Sequence, residues 1–184
     1  QNIGNSDMIH FAFGLQRYMA PFWDQTWSKT PLNEGPKDFA VELVDKGEIR
    51  AGHKVLCLGE GFGFDATFFA RQQCQVTATD FSSVAIGNIN KRAKEENIEL
   101  FLHGEVLDMR QLFSYADASF DIVCAFQSLM YFDDNAFRQI IKEIYRVLKP
   151  GGRVFISVRS PKFNLPPNIF LSPQDDTSGF ALIT

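Results

Sequence analysis

An uninterrupted apolar run, Lys54-Val-Leu-Cys-Leu58, leads straight into Gly59-Glu-Gly-Phe-Gly63. A strand that is apolar at successive positions suits burial on both faces, as in a parallel sheet covered by helices. Glycines directly after it let the backbone turn sharply and come close to a ligand. Asp65 to Gln72 then reads as a helix, with Ala66, Phe69 and Ala70 on one side. Such a helix aims its first N–H groups at whatever the glycine loop holds. In an open α/β sheet, ligands lie at the carboxyl ends of the strands. Gly59, Gly61 and Gly63 are therefore the first candidate binding residues, ahead of a plain glycine turn.

The alternation of strand and helix continues. Lys37 to Glu48 reads as a helix before the first strand. Gln75 to Thr79 is a strand closed by Asp80, Ser83 to Glu96 a helix, and Leu100 to Glu105 a strand. Phe120 to Phe126 is a fourth strand, Asn135 to Leu148 a helix, and Arg153 to Val158 a fifth strand. This order predicts an α/β, Rossmann-like, doubly wound and mostly parallel sheet in a three-layer sandwich. At 184 residues the chain is read as one domain. Residues 1–36 read as an irregular, aromatic-rich cap segment that contains Trp23 and Trp27, and 37–184 as the domain proper.

Asp80 is the second candidate. A carboxylate at the end of the second strand can accept both hydroxyls of a ribose; capping the next helix is the plainer role, but Ser82 and Ser83 are available for it. Phe81 beside it would flank an adenine face or pack in the core. After the third strand, Asp108 can accept from an adenine amino group, with apolar neighbours such as Met109 over the ring. A nicotinamide enzyme is a rival at this point. Gly61-x-Gly63-x-x-Ala66 also fits the dinucleotide fingerprint, and Tyr145-x-x-x-Lys149 imitates a dehydrogenase pair. Lys149, however, reads as the last turn of a helix, where a cation suits the dipole and Pro150-Gly151-Gly152 stops the chain.

Taken together, these segments resemble the class I S-adenosylmethionine-dependent methyltransferases from about Lys37 to Val158. Val55 to Gly63 looks like the family's first motif, Val76 to Ser82 its second-strand motif, and Gly104 to Asp108 its adenine segment. Ser119 to Ser128 is similar to the fourth strand and its active-site end, which adds Gln127. Glu143 to Arg153 is similar to the helix-to-fifth-strand junction. The resemblance implies S-adenosyl-L-methionine as cofactor and methyl transfer by direct displacement. Its small-molecule branch, with tellurite-resistance and thiopurine-type enzymes, is the nearest in pattern, and there an N-terminal aromatic segment helps close the cofactor site, a role open to Trp27 and Trp23. Cys57 stands where the family often has an acid, and Glu60 is expected to supply that charge toward the methionine amino group. The family sheet normally carries two further strands after the fifth. The stretch from Phe163 to Thr184 is hard to read as both, so the sheet is expected to lack its last strands.

Other readings narrow the class. Formal net charge is −4, which disfavours a nucleic-acid surface. The segment Gln127-Ser128-Leu129-Met130-Tyr131 lacks the Pro-Pro-aromatic turn of enzymes that methylate base amines. A small O, N, S or metalloid acceptor is expected. The three cysteines, Cys57, Cys74 and Cys124, are dispersed; they suggest no disulfide framework, no metal site and a reduced cytoplasmic setting, with Cys57 and Cys124, inside apolar runs, as buried thiols. No membrane span is expected. No catalytic base is assigned, because direct displacement does not require one. A non-catalytic cofactor-binding or partner-binding domain is the third reading.

Overall fold

The computed structural model describes residues 20–29, 35–157 and 180–183. Their strands are β1 Lys54–Leu58, β2 Gln75–Asp80, β3 Leu102–Val106, β4 Phe120–Phe126, β5 Leu148–Ser157 and β6 Phe180–Ile183. They form one sheet in the order β3-β2-β1-β4-β5-β6. β1 to β5 are mutually parallel and β6 runs antiparallel to β5. The helices are α1 Ala20–Lys29, α2 Asp38–Asp45, α3 Phe64–Arg71, α4 Ser83–Glu95 and α5 Asp134–Val147.

The apolar run of β1 is explained by the layers. Val55 and Cys57 face one side, where Ala40 of α2, Phe69 of α3 and Ile86 and Ile89 of α4 cover the sheet. Leu56 and Leu58 face the other, under Phe137, Ile140, Ile144 and Val147 of α5. Successive side chains of a strand point to opposite faces, so a strand between two helical layers has no polar side to show. The four α5 residues recur three and four apart, which draws one stripe down that helix. Each such side chain contributes about 1.5–3 kcal/mol on full burial. The doubly wound, three-layer expectation holds. Cys57 and Cys124 lie side by side in register and, with Cys74, are buried free thiols.

Four expectations need correction. Residues 20–29, read as irregular, form α1. Pro21 is compatible with that helix because it lies in the first helical turn, where the missing N–H has no intrahelical partner to lose. Lys149 is not in the last turn of α5. That helix ends at Val147, and Leu148 is already extended and paired with Phe120. The Lys149 ammonium reaches Asp121 across the sheet at 2.7 Å, an ion pair rather than a dipole contact. β3 begins at Leu102 instead of Leu100, which is 87% exposed. The sheet does not stop at its fifth strand as expected: in the tail from Phe163 to Thr184, Phe180–Ile183 form β6, antiparallel to β5, and the remainder of the tail lies outside the described residues. No described helix is long and apolar enough to cross a membrane.

Candidate functional site

The sheet order reverses between β1 and β4, and a cavity of about 280 Å³ opens at the carboxyl ends of these strands. This is the switch point where ligands of doubly wound sheets bind. Of the residues expected from sequence, Trp27, Gly59, Glu60, Gly61, Asp80, Phe81, Asp108, Met109 and Gln127 line it. Gly63 does not. It has φ +69 at the N-cap of α3, and a Cβ there would lie 2.4 Å from Ile89 Cγ1. Its role is a left-handed turn and close packing against α4.

Gly59 and Gly61 also adopt left-handed φ, +71 and +55. A Cβ on Gly59 would lie 2.5 Å from Ser128 Cβ, and one on Gly61 2.7 Å from Trp27 Cη2. The loop is thus clamped between the end of β4 and helix α1. Ser128 secures the first side, its hydroxyl donating to the Leu58 carbonyl at 2.9 Å. Gln127 holds φ +55, and its N–H donates to Ser157 O at 2.9 Å.

Asp80 is 6% exposed. Its two oxygens accept from Gly61 N–H and Ser82 N–H, each at 2.9 Å. Burial pushes its carboxyl above the ordinary range, while these amide bonds pull the other way. Each oxygen keeps a second acceptor site. The helix-cap role belongs to Ser82, whose hydroxyl accepts from Ala85 N–H at 3.2 Å.

Glu60 compensates for a missing cap. Gly63 offers α3 no side chain, so Ala66 N–H donates instead to Glu60 Oε2 at 3.2 Å. Although the residue as a whole is only half-buried, its carboxylate is crowded by protein. Burial, then the charge of Asp65, pushes the Glu60 carboxyl up to about 8. Asp65 also lines the cavity and is 4% exposed. It accepts from the Lys37 N–H at 2.7 Å, with the Lys37 ammonium 3.8 Å from its other oxygen. Burial raises Asp65 and Lys37 opposes that rise. Sequence reasoning missed Asp65 and Lys37. An acid in a first helical turn reads as a dipole partner, and Lys37 lies 28 residues away in sequence.

The raised Glu60 carboxyl has a pH consequence. At neutral pH the folded form holds a proton that the unfolded chain has released. Stability of the unliganded protein should fall as pH rises from about 4.5 through about 8. Glu60→Gln imitates the protonated form. It should therefore melt higher than the wild type by a margin that widens over this window, reaching about 1–3 kcal/mol. Melting curves at both ends check this, and a margin independent of pH would refute it.

Asp108 is held by a protein partner. Its oxygens accept from Arg110 Nε at 2.9 and 3.1 Å and from Nη2 at 2.7 Å. The Arg110 guanidinium keeps its carboxyl below the usual range. Arg110, another lining residue, was not foreseen. Above the loop, Trp27 packs edge-on against Phe62 and stacks with Trp23 at 5.4 Å. Trp23 in turn meets Tyr131 edge-on at 5.2 Å. The Trp27 Nε1 donor is buried and has no hydrogen-bond partner among the described residues. The dehydrogenase-like pair is dispersed: Tyr145 is 83% exposed and Lys149 is bound to Asp121. Neither borders this cavity.

Comparisons with known proteins agree with this architecture. The family described as Methyltransferase domain matches residues 55–152. The chain is 32% identical over 153 residues to methyltransferase GfsG of Streptomyces halstedii, covering 83% of this chain and 51% of that protein. It is 32% identical over 145 residues to 27-O-demethylrifamycin SV methyltransferase of Amycolatopsis mediterranei, covering 76% and 52%. It thus spans about half the length of these relatives. Among solved structures, the [4+2]-cyclase SpnF superposes with a TM-score of 0.61 at 24% identity, over 74% of this chain and 52% of that one. At that identity the match speaks for the fold.

Proposed function

The chain belongs to the class I S-adenosylmethionine-dependent methyltransferases, and from that premise we propose that its cleft binds S-adenosyl-L-methionine and directs methyl transfer to a small-molecule acceptor. The observation that carries this reading is a buried Asp80 carboxylate, held by two backbone amides beside a glycine loop at the sheet's switch point. Here Asp80 accepts the two ribose hydroxyls, and Gly59 and Gly61 let the loop backbone approach. Phe81 and Met109 flank the adenine. Asp108 offers a remaining acceptor site to the adenine amino group while keeping Arg110. Glu60 and Asp65 face the amino group of the methionine part. The unpartnered Trp27 N–H is a donor for a polar ligand atom.

When bound, the cofactor supplies a methyl carbon on a sulfonium centre and a neutral thioether leaving group. The protein's part is to orient the reactants and exclude water. Gln127, Tyr131 and Phe132 close the side of the cleft beyond β4, where an acceptor would enter. A 27-O-demethylrifamycin SV methyltransferase and ubiquinone biosynthesis O-methyltransferases among the relatives favour an oxygen acceptor, and the narrower likeness to tellurite-resistance and thiopurine enzymes is carried by Gly59-Glu60-Gly61 and the helix from Asp65 to Ala70. A net charge of −4 supports a small acceptor over nucleic acid, and three unpaired thiols suit a reducing cytoplasm.

Thermal shift tests the cofactor. S-adenosylhomocysteine at about 100 times its Kd should stabilise the fold by about 2.7 kcal/mol, and NAD should not. Stabilisation by NAD alone would overturn the reading. Binding without turnover in an acceptor screen with labelled cofactor would favour the non-catalytic alternative.

A further inference from the structure

Helix α1 meets the rest of the protein through one face. Asp24 and Trp27 are three residues apart and so share that face. The ring contacts of Trp27 with Phe62 and of Trp23 with Tyr131 bury apolar surface. Such burial is non-directional and does not by itself fix where a helix sits. The directional contact comes from Asp24. Its Oδ1 accepts the Ser82 hydroxyl at 2.5 Å and Val84 N–H at 3.4 Å. Both donors lie at the N-terminus of α4, where the helix dipole favours negative charge.

Ser82 has a second connection. Its backbone N–H donates to Asp80 Oδ1 at 2.9 Å, and its hydroxyl oxygen caps α4 through Ala85 N–H. One serine therefore holds the α1 carboxylate by its side chain and the Asp80 carboxylate by its backbone. The two acids are near enough that the charge of Asp24 adds to the upward displacement of the Asp80 carboxyl. Trp27 lies one helical turn from Asp24 and covers Gly61, whose N–H is the other amide holding Asp80. The docking of α1 thus bears on both amides that orient this carboxylate.

We propose that Asp24 is a positioning residue, which latches α1 over the cleft and, through Ser82, couples that docking to the orientation of Asp80. The coupling rests on the reading of the cleft as an S-adenosylmethionine site. Coupling between two events is reciprocal: a latched α1 strengthens ligand binding, and bound ligand strengthens the latch by the same factor.

The sequence contains its own reporter. Its 2 tryptophans, Trp23 and Trp27, both lie on α1, so intrinsic tryptophan emission reads that helix alone. In the full chain, Asp24→Ala should red-shift the emission without ligand and weaken S-adenosylhomocysteine binding about tenfold, the effect of losing one hydrogen bond to a charged group. Asp24→Asn keeps an acceptor for the Ser82 hydroxyl and should return the emission and most of the affinity. Because α1 is peripheral to both core layers, circular dichroism of either variant should match the wild type. Unchanged emission and affinity in Asp24→Ala would overturn the latch. Shifted emission with undiminished affinity would overturn the coupling, and weakened affinity with unshifted emission would do so too, since Asp24 would then act on the ligand directly. A wild type that fails to bind S-adenosylhomocysteine removes the cofactor reading instead, and the emission then decides alone whether Asp24 holds α1.

Discussion

Asp80→Ala should lose S-adenosylhomocysteine binding by a factor of at least about 100. Two hydrogen bonds from ribose hydroxyls to a buried carboxylate are worth about 3–6 kcal/mol together. The same substitution strips Gly61 N–H and Ser82 N–H of their acceptor, so some fold stability goes with it. Asp80→Asn separates the two effects. Its single amide oxygen can still accept from one of these N–H groups, and it should bind with an affinity between those of Asp80→Ala and the wild type. Calorimetric titration gives the affinities, and circular dichroism melts show that the variants fold. Wild-type affinity in a folded Asp80→Ala would remove Asp80 from the ribose and the cofactor assignment with it.

The second large effect concerns the fold. Gly59→Ala should destabilise the protein by about 2–5 kcal/mol. A left-handed φ of +71 costs a residue with a Cβ about 1–2 kcal/mol. The approach of that Cβ to Ser128 Cβ at 2.5 Å adds overpacking of about 1–3 kcal/mol. For a domain of this size the melting temperature should drop by roughly 5–15 °C. Combining it with Ser128→Gly should recover the overpacking part, less the lost Ser128–Leu58 hydrogen bond, and leave the backbone part. Gly87 is the control: it lies within α4 with nothing within 4 Å of a built Cβ. Gly87→Ala should be stabilising by about 0.5–1 kcal/mol. An unchanged melting temperature in Gly59→Ala would mean that the loop does not need glycine there.

Much of this was legible in the sequence because a buried parallel strand and its glycine loop leave a local signature. Strand β1 is apolar throughout since both its faces are covered, and Asp80 stands at the predictable end of β2. Less was legible where the cause is not local. Helix α1 gains its position from Phe62, Tyr131 and Ser82, all far along the chain, while its proline and polar residues read as irregular. Lys37 and Asp65 pair across 28 residues that include α2 and β1, a contact that neither residue announces. Lys149 sat in a plausible helix stop, but its partner Asp121 is on a strand 28 residues earlier. Gly63 was grouped with its neighbours by spacing alone, and spacing cannot distinguish a glycine that receives a ligand from one that admits Ile89.

The join between β1 and β4 bears on the order of assembly. Leu58 and Ser128, whose bond braces the glycine loop, are 70 residues apart, and Lys54 N–H reaches Asp121 across 67. Parallel pairing of such distant segments comes at a loop-closure entropy cost that local helices avoid, and it slows folding. The glycine loop can therefore be synthesised and released from the ribosome well before its second wall exists. A small-molecule ligand that needs both walls has nothing to hold until that late step. Added ligand should accordingly slow unfolding while leaving the refolding rate nearly unchanged.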